Sequence, residues 1–146
     1  MGILTILFMP FRIIGHILYK LSGGTMGRSI AGLPLLHLIT TGRKTGQQRT
    51  AELGYFEHDG GYVIIASNGG RDTHPGWYWN LQGNPKAKIE LNGKTLDVTA
   101  EFTSGDLRAQ LWKQLVGLSP QYGGYEKSTK REIPMVILHP ESDSPA

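Results

Sequence analysis

The segment Gly42-Arg43-Lys44-Thr45-Gly46-Gln47-Gln48-Arg49 concentrates three cations between and just after two glycines. Small residues expose backbone N–H groups, and Arg and Lys add charge-assisted donors, so the pattern suits a phosphate or carboxylate ligand. It is not a Walker A loop, because position 38 is Leu where that motif needs glycine, and the composition after the turn predicts a strand rather than a helix. A solvated basic hairpin tip satisfies the same pattern, so the turn alone does not establish a ligand. Ser67-Asn68-Gly69-Gly70 closes an apolar run, a place where bare backbone lets a flat ring approach closely. His74-Pro75-Gly76-Trp77-Tyr78-Trp79-Asn80-Leu81 opens a predicted helix with large aromatics and an amide. Trp77 and Trp79 are two positions apart and cannot share a helical face, so one packs inward and the other edges a cleft or the surface.

The elements that must carry these residues are mostly strands. Leu35 to Thr41 and Thr50 to His58 have strand composition and flank the basic turn, and Asp59-Gly60-Gly61 makes a tight hairpin into Tyr62 to Ser67. Pro75 starts a short helix through about Gln82, which Gly83-Asn84-Pro85 closes. Lys86 to Leu91, the hairpin pair Asn92-Gly93 and Thr95 to Phe102 form a second hairpin. Thr103, with Asp106 three residues on, is placed to cap a helix lined by Leu107, Leu111, Leu115 and Leu118. A polar loop from Ser119 to Lys130 precedes a last strand, Ile133 to Leu138. Six mostly antiparallel strands with few helices favour a small closed barrel, a mainly β (α+β) fold in one domain spanning 33–140.

Bulk composition narrows the chemistry. The 146 residues include no cysteine, which removes disulfides, zinc ribbons and thiol nucleophiles and predicts a reducing, cytoplasmic setting. The five histidines are widely spaced with no helical pair, so no metal site is expected. The net charge of +3 is unevenly distributed: residues 1–51 hold six bases and no acid, and the remainder holds nine bases and twelve acids. The anion-attracting third of the chain is therefore the first.

Residues 1–22 read as an amphipathic helix. Arg12, His16 and Lys20 recur every four residues opposite Phe11, Ile14, Ile17, Leu18 and Leu21. Such a helix suits residues 3–21 either to lie at the inner face of the cell membrane or to pack on the barrel or in a homodimer interface. The tail 141–146 is expected to fray.

Thr41-Gly42-Arg43-Lys44-Thr45-Gly46 with Arg49, Ala66-Ser67-Asn68-Gly69-Gly70, His74 to Leu81 with Asn84-Pro85, and Arg131-Glu132-Ile133-Pro134 occur in one order over Leu35 to Pro140. In this the chain resembles the deazaflavin-dependent nitroreductases of the flavin-binding split β-barrel superfamily. The resemblance implies coenzyme F420 (8-hydroxy-5-deazaflavin) as cofactor. It implies Arg43, Lys44, Thr45, Gly46 and Arg49 around the phosphate and carboxylates of its tail, and Ser67, Asn68, Gly69 and Gly70 along its ring. Trp77, Tyr78 and Asn80 would sit beside the tail. Tyr122 and Tyr125 would lie over the acceptor pocket and, with Ser67, form the candidate catalytic set. A deazaflavin carries the hydride, so the protein need supply only orientation and a hydrogen bond to the acceptor as charge develops there, which either tyrosine can donate. The acceptor is expected to be a quinone or a nitroaromatic compound. The chain departs from the pattern at Ser119, where the best-studied members have a further tyrosine, and at Asn68, where several have lysine. Both departures bear on bulky nitroimidazoles more than on cofactor binding. Two rival readings remain on these residues: an FMN-dependent oxidoreductase on the same barrel, or a noncatalytic module binding lipid headgroups or nucleic acid. The enzymatic reading expects no nucleic-acid partner.

Overall fold

The computed structural model describes residues 29–141. The helix expected over 1–22 lies outside them, as does all of the expected tail but Glu141. Among them are six strands and three helices, in the order β1 (Leu35–Thr41), β2 (Gln48–His58), β3 (Gly61–Ile65), α1 (Gly76–Gly83), β4 (Lys86–Leu91), β5 (Lys94–Phe102), α2 (Gly105–Leu118), α3 (Gln121–Ser128) and β6 (Met135–Pro140). The strands pair antiparallel and close into a barrel in the order β1-β2-β3-β6-β5-β4. Both expected tight hairpins form. Asp59 and Gly60 have φ of 49° and 80°, Asn92 and Gly93 have 49° and 77°, and a two-residue turn whose twist matches its strands needs positive φ at both positions.

Two cores explain why β3 and β6 read as unbroken apolar runs rather than alternating ones. Successive side chains of a strand point to opposite faces. Ile64, Val136 and Leu138 point into the barrel with Leu36, Leu38, Ile89 and Val98. Val63, Ile65, Met135 and Ile137 point outward, where Leu111, Trp112 and Leu115 of α2 and Tyr122 of α3 cover them. Strands buried on both faces have no polar face to show.

The boundaries differ from the sequence expectation where a specific contact intervenes. β3 stops at Ile65 rather than Ser67, because Ser67 turns into αR geometry (φ −74°, ψ −29°) and opens a 3-10 turn over Asn68–Gly70. β6 begins at Met135 rather than Ile133: Pro134 has no N–H for the ladder, and the Ile133 carbonyl is taken by Nε and Nη2 of Arg108 at 3.3 and 2.8 Å. Thr103 does not cap α2. Its hydroxyl donates to the Met135 carbonyl at 2.6 Å, and Ser104 is the cap residue. The buried face of α2 is Arg108, Leu111, Trp112 and Leu115, and Leu118 is exposed.

The largest departure is α3, which forms where a polar loop is expected. Gly123 and Gly124 inside it cost about 2 kcal/mol relative to alanine. Tyr122 inserts into the outer core and is 3% exposed, and burial of a large apolar ring contributes about 2–3 kcal/mol. Tertiary packing therefore offsets what local propensity opposes.

Candidate functional site

The basic turn between β1 and β2 is built from its own backbone. Gly42 N–H donates to the Gln47 carbonyl at 2.7 Å and Gly46 N–H to the Gly42 carbonyl at 2.8 Å. The Thr45 hydroxyl accepts from Gln47 N–H at 3.2 Å. Gly46 has φ of 75°, a conformation open to glycine at little cost. At Gly42 a Cβ would stand 3.0 Å from the Gln47 carbonyl oxygen and 3.1 Å from the Thr45 hydroxyl, so a side chain there would crowd the tight closure. The result is a fixed turn whose Arg43, Lys44 and Arg49 side chains are exposed.

Asn80 of α1 braces that turn. Its Oδ1 accepts from the backbone N–H of Arg43 at 3.1 Å and from Arg43 Nη1 at 3.0 Å, which settles the orientation of the amide. Its Nδ2 then donates to the buried Thr40 hydroxyl at 3.1 Å. Arg43 Nη1 also donates to the Gly76 carbonyl at 3.3 Å, so the guanidinium is pinned to the start of α1. Thr40 had no signal in the sequence, because a threonine in a strand is ordinarily only a strand former.

Between turn and helix runs a groove of about 470 Å³ lined by Thr40, Gly42, Arg43, Lys44, Thr45, Arg49, Gly76, Trp77 and Asn80, among others. Three cations line it and no carboxylate does. A second cavity, about 300 Å³ across β1 and β4, also presents two lysines, but Lys88 pairs with Asp97 at 2.6 Å and Lys86 with Glu141 at 3.5 Å. Of these two, the first groove offers positive charge with no carboxylate beside it. Gly46 and Tyr78 do not line it. Tyr78 instead packs on His74 at 4.7 Å and edge-on to Phe102 at 5.8 Å between ring centroids, and its hydroxyl accepts from Gln82 at 3.0 Å. Trp77 is buried and Trp79 is 43% exposed, the division that their spacing required.

The remaining candidates gather at the loop after β3. Asn68, Gly69 and Gly70 all have positive φ, at 49°, 67° and 84°. Gly69 faces open space, whereas a Cβ on Gly70 would meet Ser128 Oγ at 2.8 Å and Tyr125 Cδ1 at 3.2 Å. The glycine at position 70 thus admits α3, and the bare face available to a ligand is at Gly69. Tyr125 stands perpendicular to Tyr122 with centroids 5.3 Å apart, and Gln121 bonds its hydroxyl. The Tyr122 hydroxyl bonds no other described residue. Burial, then the neighbouring Tyr125, pushes its pKa up to about 12, so it stays a protonated donor at neutral pH.

The loop is also held by residues to which sequence reasoning gave no role. Arg131 Nη2 donates to the Ser67 carbonyl at 2.9 Å and Nε to the Arg71 carbonyl at 3.0 Å. Arg131 Nη1 lies 2.8 Å from His74 Nδ1, and burial followed by this cation lowers the His74 pKa. Ser119, in place of the expected tyrosine, is buried and bonds the Ala31 carbonyl. Among the described residues no group of His, Asp and Glu is placed to hold a metal ion.

The sequence matches the family model described as F420H(2)-dependent quinone reductase over residues 11–140. It is 40% identical over 128 residues to an F420H(2)-dependent quinone reductase of Mycobacterium tuberculosis, covering 83% of this chain and 84% of that protein. Among solved structures it is similar to an F420-H2 dependent reductase, with a TM-score of 0.67 and 37% identity over 73% of this chain and 94% of the other. A chain solved as a domain-swapped dimer matches with a TM-score of 0.69 and 32% identity over 88% of this chain and 96% of its own length.

Proposed function

The chain belongs to the F420H(2)-dependent quinone reductase family, and on that premise we propose that its basic turn grips the anionic tail of coenzyme F420 while Ser67 to Gly70 and the tyrosines of α3 meet the ring and a quinone. It is an oxidoreductase whose coenzyme is F420. The observation that carries the residue assignment is the groove lined by Arg43, Lys44 and Arg49 with no carboxylate among its walls. Such a donor set fits a polyanion and would leave a neutral ligand with unpaired cations around it.

The bound coenzyme supplies the hydride. The residues supply binding and orientation. Lys44 and Arg49 reach the tail as free cations, and Arg43 does so from a position already fixed by Asn80, which lowers the ordering cost of binding. Gly69 leaves room for a ring edge, and the Tyr122 hydroxyl, protonated at neutral pH, donates to the acceptor oxygen as charge develops on it. A quinone is the favoured acceptor and nitroaromatic compounds are secondary. Titrating the three tryptophans' fluorescence with F420 and with FMN tests the assignment: saturable tight binding is expected for F420 alone, and equal affinity for both removes it.

No helix among the described residues is long and apolar enough to cross a membrane. The apolar and basic residues between 3 and 21 support contact with an anionic membrane surface, which would bring the site to dissolved quinones. Deleting residues 1–22 should abolish co-sedimentation with anionic liposomes, and unchanged binding refutes the membrane role. A homodimer is the second assembly worth testing, because one structural relative was solved as a swapped dimer. Size-exclusion chromatography with light scattering decides it.

A further inference from the structure

The loop from Ser67 to His74 lacks the usual means of holding its shape. It lies outside the six strands, and three consecutive residues in it have positive φ. Its internal bonds are few: Gly70 N–H to the Ser67 carbonyl at 2.8 Å, Arg71 N–H to the Asn68 carbonyl at 3.2 Å, and Asn68 Nδ2 to the Thr73 carbonyl at 3.0 Å and hydroxyl at 3.3 Å. α3 touches it through Ser128 Oγ, which donates to the Gly70 carbonyl at 3.3 Å, and most of its remaining polar anchors come from the segment between α3 and β6. Arg131 spends Nε, Nη1 and Nη2 on Arg71, His74 and Ser67. Two residues earlier, the Thr129 hydroxyl donates to Asp72 Oδ1 at 2.8 Å, and Lys130 N–H approaches the same oxygen at 3.4 Å.

We propose that Arg131 is the positioning residue of the reaction, a three-pronged clamp that sets the conformation of the Ser67 to Gly70 loop and the protonation of His74 without touching coenzyme or acceptor. The guanidinium fork is rigid and donates only, so its three bonds fix three points of the loop at once, which a lysine ammonium on a flexible stem cannot reproduce. Because Arg131 can only donate, His74 Nδ1 must accept. The imidazole is therefore neutral with its proton on Nε2, and a second cation at that place would face the guanidinium. The Ser67 carbonyl, accepting from both Gly70 and Arg131, has its two lone pairs engaged. The inference rests on the reading that Ser67 to Gly70 line the deazaflavin ring.

The test uses Arg131→Gln and Arg131→Lys in the full chain, with menadione as acceptor. Loss of the clamp displaces the ring-bearing loop, and turnover is expected to fall about 10²-fold. F420 affinity, dominated by the cations of the basic turn, should change much less, and lysine should not rescue. In the glutamine variant the NMR titration midpoint of His74 should rise toward its ordinary value of 6.5, a shift that a merely structural arginine would not predict together with lost turnover. Wild-type turnover with an unmoved His74 midpoint overturns the proposal. Should Arg131→Gln fail to fold, Arg131→Lys carries the test, since an ammonium cannot make the three bonds at once, and wild-type turnover there overturns it as well. Gly69→Leu separates the two layers of the argument. If it alters neither F420 affinity nor turnover, the ring does not rest on this loop. If it does while Arg131→Gln is silent, only the clamp falls.

Discussion

Asn80 in α1 holds Arg43 in the basic turn by two bonds to one oxygen, from the backbone N–H at 3.1 Å and from Nη1 at 3.0 Å, while its Nδ2 anchors to Thr40 in β1. One amide thus ties a helix, a strand and the exposed cationic turn together. Asn80→Ala strands the buried Thr40 hydroxyl and releases Arg43, and the cost is about 1–3 kcal/mol of stability. F420 affinity is expected to fall by roughly tenfold, equivalent to about 1.4 kcal/mol, because Arg43 must then be ordered at the moment of binding. Thermal melts and fluorescence titration measure the two effects separately. A variant that melts early yet binds F420 as the wild type would show that the brace serves the fold alone.

Lys44 and Arg49 make the opposite case. Both are exposed at the groove, so Lys44→Ala with Arg49→Ala should leave the melting temperature within the range of ordinary surface changes, about 0.5 kcal/mol. Each lost charge-assisted bond to an anion is worth about 1.5–3 kcal/mol, so F420 affinity should drop by more than tenfold. The residual binding should also depend less steeply on salt, since fewer cations remain to be screened. Calorimetry at two ionic strengths checks both statements, and unaltered affinity would move the tail elsewhere.

How much of this was legible beforehand follows from where the information lies. Strands announce themselves locally: Asn92-Gly93 and Asp59-Gly60 set turn geometry by residue type, and the closed barrel followed from the count and order of strands between them. The three cations of the groove were equally plain, because contiguous residues form one turn. The helix Gln121–Ser128 was hidden because two glycines argue against it locally and only the distant outer core argues for it. Arg131 and His74 were visible as letters in a motif, but their pairing joins residues 57 positions apart, and no spacing rule reveals a bond of that kind. Gly70, which the resemblance places along the ring, also packs against Tyr125 and Ser128, a contact that no local pattern reveals.

That packing makes a sharp contrast between neighbours. At Gly70 a methyl group would collide with Ser128 Oγ at 2.8 Å while the backbone sits at φ of 84°. At Gly69 the backbone is also left-handed, but nothing lies within 4 Å of the added carbon. Both alanine variants incur the left-handed cost of about 1–2 kcal/mol. Gly70→Ala should lose more, since the Ser128 hydroxyl must swing away and α3 must shift at Tyr125. Urea unfolding of the two variants gives the comparison. Equal losses would mean that α3 yields freely to the added carbon.

Tyr122 ties stability to pH in a way that identifies its proton. Burial raises its pKa from 10.0 to about 12 in the folded chain. Below pH 10.0 both folded and unfolded forms keep the proton, and the tyrosine adds no pH dependence. Between those values the unfolded chain ionises and the native chain does not, so native stability is lost as pH rises through that window. Tyr122→Phe keeps the ring that fills the outer core and removes the ionisation. Its alkaline stability profile should therefore be flatter than that of the wild type, while its melting point at neutral pH stays within about 1.5 kcal/mol of the original. Removing the donor should lower turnover with menadione by about 10²-fold and leave F420 affinity nearly unchanged. Urea midpoints at several alkaline pH values and steady-state kinetics at neutral pH read the two halves independently. A flat profile with wild-type turnover would leave Tyr122 as a core residue and pass the role of donor to Tyr125, whose hydroxyl already bonds Gln121.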